Sequence, residues 1–256
     1  MPVTQLGACQ VVVLAGTGEA RHFCRLLAGR GLSTMASLAG VTQAPLDYPV
    51  PTRSGGFGGE EGYRNWLDEM RPKLVVDALH PFAKDMRQRV LDVAVDRSEH
   101  VLHLSRPPWA AQQGDKWLVV DSLAAAARAL PPEAVPLLTT GRGGWDHFAH
   151  RIRRGYLRSI EPIEGLPANI TPLIDRPPFS LDAEIALMRD LGVTHLVTKN
   201  AGGPHTQAKL RAAHRLGLPV VMVSRPKFTS PHAKVHSADA ALAFCDMALD
   251  LTPRSA

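Results

Sequence analysis

The stretch Val11-Val12-Val13-Leu14-Ala15-Gly16-Thr17-Gly18-Glu19-Ala20 decides the fold. A continuous apolar run rich in valine is what a parallel strand buried on both faces requires. Residues 19–30 then place Ala20, Phe23, Cys24 and Leu27 at helical spacing, and Gly29 and Gly31 end the helix. Strand, glycine turn and helix in that order put bare backbone N–H groups and the positive end of a helix dipole where a phosphate can sit. The turn departs from G-x-G-x-x-G, because Arg21 stands at the third position. The plainer alternative is an ordinary tight connection.

The same alternation runs outward from this stretch. Strands are expected at 33–38, 73–76 and 101–104, and helices at 58–70 and 81–95, the latter with Pro81 at its first position. The chain crosses over near 117–120, and an alanine-rich helix follows at 122–130. A second series then places strands at 135–138, 156–160, 194–198 and 220–223, and helices at 144–151, 180–191, 205–216 and 239–249. Ser180 caps the 180–191 helix, with Asp182 and Glu184 in its first turn. Residues 161–178 read as a proline-laden connection. With right-handed crossovers close to obligatory, the fold class is α/β: two Rossmann-like doubly wound parallel-sheet domains facing a central cleft. The boundaries expected are 8–125 for a dinucleotide-binding domain and 126–250 for a substrate domain. Beyond residue 226 only a packing helix is legible.

Composition limits the function. Of 256 residues 45% are hydrophobic and 21% charged, which is ordinary for a globular chain with a real core. A net charge of +5 favours anionic partners. Aromatics at 5% and no compact basic-aromatic motif argue against nucleic acid. Cys9, Cys24 and Cys245 share no metal-ligand spacing, so they read as small buried hydrophobes, with neither disulfide framework nor metal site. The first ten residues lack a signal-peptide pattern, and no apolar run approaches the roughly 18 residues that span a bilayer. The expected setting is cytoplasmic, without a membrane partner, and a monomer suffices.

Five further segments stand where strands end. After the second strand, Ser37 to Gly40 lacks the acidic residue that would hold a ribose 2′-hydroxyl; Ser37 with Arg53 suits a 2′-phosphate, which favours NADPH. Gly55-Gly56-Phe57-Gly58-Gly59 carries too much glycine to pack a core, and reads as backbone lying against a flat ligand with Phe57 stacked on it. A flexible surface loop is the alternative. Asp77-Ala78-Leu79-His80-Pro81-Phe82 puts His80 at a strand exit, as a structural histidine or a functional one. Thr139-Thr140-Gly141-Arg142 and Lys199-Asn200-Ala201-Gly202-Gly203 repeat the pattern, with Arg142 and Lys199 suited to phosphate or carboxylate groups. The run Arg151, Arg153, Arg154, Arg158 reads by default as a solvated face, with steering of a polyanion as the alternative.

Taken in order, these segments resemble the precorrin-6A reductases of cobalamin biosynthesis over about residues 10–226. The resemblance rests on Gly16 to Arg21, Ser37-Leu38-Ala39-Gly40, Gly55 to Gly59 with Gly62, and Asp77 to Ala83. It continues through Arg106-Pro107 with Trp109, Thr139 to Arg142, Pro178-Phe179 with Glu184, Thr198 to Gly203, and Arg225-Pro226. Leu79 stands where the family pattern has Thr, and Ala201 where Ser is frequent. The resemblance implies NADPH, reduction of one macrocycle double bond of precorrin-6A to give precorrin-6B, and a polycarboxylate tetrapyrrole as partner. Cofactor contacts are expected from Gly16, Thr17, Gly18, Glu19, Ser37, Gly40, Gly56 and Phe57, and substrate contacts from Arg142, Lys199, Asn200 and Arg225. His80 is the candidate acid that delivers the proton. Two rivals share the strand-exit glycines: a two-domain nucleotide-sugar transferase, and a non-catalytic NADP(H) sensor.

Overall fold

The computed structural model describes residues 8–40, 47–97, 100–230 and 232–250. The described chain divides into two compact units, one of residues 1–106 with 227–256, the other of residues 107–226.

In the first unit, β1 (Val11–Leu14), β2 (Thr34–Leu38), β3 (Thr52–Ser54), β4 (Leu74–Asp77) and β5 (Val101–Leu104) alternate with α1 (Gly18–Gly29), α2 (Glu60–Met70) and α3 (Lys84–Arg97). β1 pairs in parallel with β2 on one side and β4 on the other, so every residue of β1 is buried, as its unbroken apolar run requires. In the second unit, β6 (Trp117–Val120), α4 (Leu123–Ala129), β7 (Pro136–Thr139), α5 (Asp146–Ala149), β8 (Gly155–Ser159), β9 (Ile170–Ile174), α6 (Leu181–Asp190), β10 (His195–Lys199), α7 (Ala208–Arg215) and β11 (Val220–Val223) follow. The chain then returns to the first unit with β12 (Ala233–Val235) and α8 (Ala238–Ala248).

The sheet orders, β12-β5-β4-β1-β2-β3 and β6-β11-β10-β7-β8-β9, correct the expected boundary. Each sheet has the doubly wound order, and the first takes its outermost strand, β12, from beyond the whole run of the second unit. β6 follows β5 in the chain yet pairs with β11; β12 follows β11 yet pairs with β5. Local periodicity says that a strand exists but not which sheet it joins, so a single cut near residue 125 misassigns β6, and it misassigns α8 as well. α8 buries Ala238, Ala241 and Cys245 in the same cluster as Phe23, Cys24 and Leu27 of α1.

Three strands lack sequence signals. β3, β9 and β12 are all outermost or nearly exposed, so none carries a continuous apolar run. β9 even contains Pro172, which an edge strand tolerates. The cysteines are buried as expected, and burial pushes the Cys24 and Cys245 thiols up to about 12, leaving both inert. Among the described residues, no helix is long and apolar enough to cross a membrane and no cluster is suited to a metal.

Ala241 has no exposed surface against α1, so Ala241→Leu should overpack that contact and destabilise the first unit by about 1–3 kcal/mol. Chemical denaturation checks this, and an unchanged midpoint would contradict the seating of α8 on α1.

Candidate active site

The β1 exit is built as its sequence suggests. Gly16 has φ +135°, a conformation only glycine adopts readily, and nothing lies within 4 Å of where a side chain would begin. Thr17 caps α1 by accepting from the Ala20 amide at 3.1 Å, while its hydroxyl donates to the Ala78 carbonyl at 3.0 Å. The cap therefore ties the β1 exit to the β4 exit. Gly18 is exposed on the first turn, and Glu19 beside it pairs with Arg106 at 2.6 Å. Thr17, Glu19, Leu79 and Arg106 line one small depression where three strands end. Arg106 is a residue the sequence reading left as part of an Arg-Pro pair, since nothing local shows that it meets Glu19.

At the β2 exit the expected pair is present. The Arg53 guanidinium donates to Ser37 Oγ at 2.9 Å, and also to the carbonyls of Gly55 (3.0 Å) and Gly56 (2.9 Å). Partial burial lowers the Arg53 pKa. Gly40 has φ +71° and packs so closely on the Gly55 backbone that a side chain would press against it. Phe57 is not the open ring platform expected. Its ring packs 5.0 Å from Tyr63 and 5.1 Å from Trp66, and Arg53 covers it at 4.1 Å. Phe57 anchors the glycine loop to the core beneath α2, and Gly62 is required there because a side chain would run into the Phe57 carbonyl.

The β4 exit centres on a carboxylate the sequence reading did not single out. Asp77 is 1% exposed and meets Arg87 through both oxygens, at 2.7 and 3.2 Å. His103 Nδ1 lies 2.9 Å from the same carboxylate, and His103 Nε2 lies 2.8 Å from Ser230 Oγ. Arg87 also donates to the carbonyls of Leu79 and Pro81 at 3.2 Å, and the Leu79 amide donates back to Asp77 at 3.1 Å. This grip corrects the expected start of the helix: α3 begins at Lys84, not Pro81, because Leu79 and Pro81 turn their carbonyls onto Arg87. His80 sits in the held segment. Its Nδ1 accepts from the Phe82 amide at 3.3 Å, so a neutral ring carries its proton on Nε2.

In the second unit, Gly141 has φ +80° and Thr140 is buried with its hydroxyl unpartnered among the described residues. Arg142 pairs with Glu161 at 3.3 Å and donates to the Pro162 carbonyl. Burial lowers the Lys199 pKa. Asn200 and Arg225 are spent on the loop itself. The Asn200 amide accepts from the Trp109 N–H at 2.8 Å and donates to its carbonyl at 3.0 Å, and Arg225 donates to the carbonyls of Asn200 and Ala201. Arg158 is likewise no solvated cation: it pairs with buried Glu184 at 2.7 Å under the Phe179 ring.

Comparison with known proteins names this arrangement. The family model described as Precorrin-6x reductase CbiJ/CobK matches residues 10–246. The chain belongs to that family. It is 40% identical over 221 residues to a Rhodobacter capsulatus protein named Precorrin-6A reductase, covering 85% of this chain and 88% of that one. It is 39% identical to a Rhodococcus erythropolis protein of the same name, covering 85% and 89%. A solved structure titled CobK precorrin-6A reductase superposes with a TM-score of 0.87 at 34% identity, covering 94% of this chain and 97% of that one. The fold and the family expected from the segment order are both borne out.

The buried network yields a prediction with a sign. Burial alone would raise the Asp77 carboxyl, but hydrogen bonds from His103 and Arg87, and their charges, outweigh it and hold the carboxyl below its ordinary 3.8. A depressed pKa contributes stability that is complete above about pH 4 and is lost as the pH falls towards the folded-state value. Asp77→Asn should therefore cost about 3–5 kcal/mol at neutral pH by stranding Arg87, and should flatten the acid limb of the stability profile. Urea midpoints between pH 3 and 7 measure both effects; an acid limb as steep as the parent's would contradict the role given to Asp77.

Proposed function

We propose that the chain reduces one macrocycle double bond of precorrin-6A to give precorrin-6B, with NADPH as the reductant. Family membership supports the reaction, and the observation that carries the cofactor is the Ser37–Arg53 pair at the end of β2. A hydroxyl held on a guanidinium, with no acidic residue from Ser37 to Gly40, suits a 2′-phosphate. Gly16 leaves the backbone bare beside the α1 N-terminus, where Thr17 and Gly18 offer the pyrophosphate a helix end. The residues present thus fit a dinucleotide. Bound there, NADPH supplies the hydride.

What remains falls to the protein's own groups. Gly40 and Gly56 shape the adjoining loops, with Phe57 as the anchor of the glycine loop and not a stacking surface. Glu19, neutralised by Arg106, does not repel an anion at the helix end. His80, at the β4 exit, is the proposed proton donor, acting from its protonated form. Arg142 and Lys199 are the proposed partners of substrate carboxylates, whereas Asn200 and Arg225 set the shape of the loop that carries Lys199. The molecule functions as a soluble catalyst in this reading, with a cytoplasmic setting and a monomer sufficient for it.

The test is anaerobic incubation with precorrin-6A and either NADPH or NADH, followed by mass spectrometry and initial rates. A gain of two hydrogens is expected, and an unchanged mass with competent substrate would reject the reaction. Arg53→Leu should raise the KM for NADPH by ~10-fold or more and change that for NADH far less, since one phosphate contact is removed. Equal losses with both cofactors would make Arg53 a loop brace alone.

A further inference from the structure

The second unit contains a cavity of about 380 Å³ that the proposed reaction does not use. That volume falls in the range of about 300–1,000 Å³ typical of small-molecule sites. It runs between residues 109–117 and α7, with the indoles of Trp109 and Trp117 and the side chain of Leu210 forming apolar walls.

Most of the charged groups around it are positive. Arg211 and Arg215 stand one turn apart on α7, both exposed and, among the described residues, outside any ion pair. Asp115 also lines the cavity, but its carboxylate is occupied by His214 Nδ1 at 2.8 Å and by the Gln112 amide at 2.7 Å. Lys209 lies 5.5 Å from the Trp109 ring and adds positive potential. His214 and Arg215 in the last turn suit the α7 dipole without any ligand. Arg211 is not explained that way.

We propose that this cavity is a second binding site, selective for a small planar anion. The ring of such a ligand packs on the two indoles, and its carboxylate or phosphate meets Arg211 and Arg215. Two arginines on one helix face favour an oxyanion with more than one acceptor, which guanidinium groups grip bidentately. A neutral ring would gain only the apolar part of the site.

Calorimetry on the full chain, with tryptophan fluorescence as a second signal, tests this with three probes: 1-naphthoate, 1-naphthyl phosphate and neutral 1-naphthalenemethanol. At least one anion should bind saturably at one site per chain, and the tighter of the two identifies the head group. The alcohol should bind at least ~10-fold more weakly, and Arg211→Ala with Arg215→Ala should weaken the anion by a similar factor. No saturable binding of either anion, equal binding of the alcohol, or an unaltered affinity in the double variant would overturn the proposal. None of these substitutions touches the residues assigned to the reductase reaction, so precorrin turnover should persist in all of them. Loss of the cavity site and failure of the reductase reading are thereby separately visible.

Discussion

A carboxylate removed from water must be met by positive charge and hydrogen bonds, and the first unit is arranged around one that is. Asp77 ends β4 with 1% of its surface exposed, held by Arg87 from α3 and by His103 from β5. Removing either partner would leave a buried charge unmatched, which is far costlier than losing a surface ion pair. The same Arg87 that neutralises Asp77 fixes the carbonyls on either side of His80, and the same His103 reaches Ser230, where the chain has just returned from the second unit. One charged cluster thus fixes a strand exit, delays the start of a helix and anchors the returning segment.

Much of this was legible in the sequence because parallel sheets leave a strong imprint. Val11 to Leu14, Leu74 to Asp77 and Val220 to Val223 are buried on both faces, so their composition alone identifies them. Edge strands carry no such imprint, and β3, β9 and β12 were not legible for that reason. Nor was the return of β12 to the first sheet, or the seat of β6 at the edge of the second, because both are placed by pairing partners distant in sequence.

The site divides along a similar line. Glycines at strand exits, and Ser37 with Arg53, are set by local backbone geometry or by neighbouring strands, and the structure brings them together as their positions suggested. Side chains whose role depends on a distant partner were read less well. Asn200 looks polar and available, but Trp109, 91 residues away, uses both ends of its amide. Phe57 looks like a stacking ring until Arg53, Tyr63 and Trp66 close around it. Arg158 looks solvated until Glu184 is placed beneath it. Asp77 escaped notice because an acidic residue at a strand end gives no hint that an arginine ten positions later will bury it.

The proposed reaction separates hydride from proton: the dinucleotide turn serves the first, and the segment held by Asp77 and Arg87 serves the second. Isotope tracing addresses that separation most directly. With NADPH deuterated at the transferring position of the nicotinamide and ordinary water as solvent, precorrin-6B should carry one deuterium from the cofactor and one hydrogen from solvent. A product containing no deuterium from either face of the labelled cofactor, while mass still rises, would contradict hydride delivery from a dinucleotide bound at the Gly16 turn.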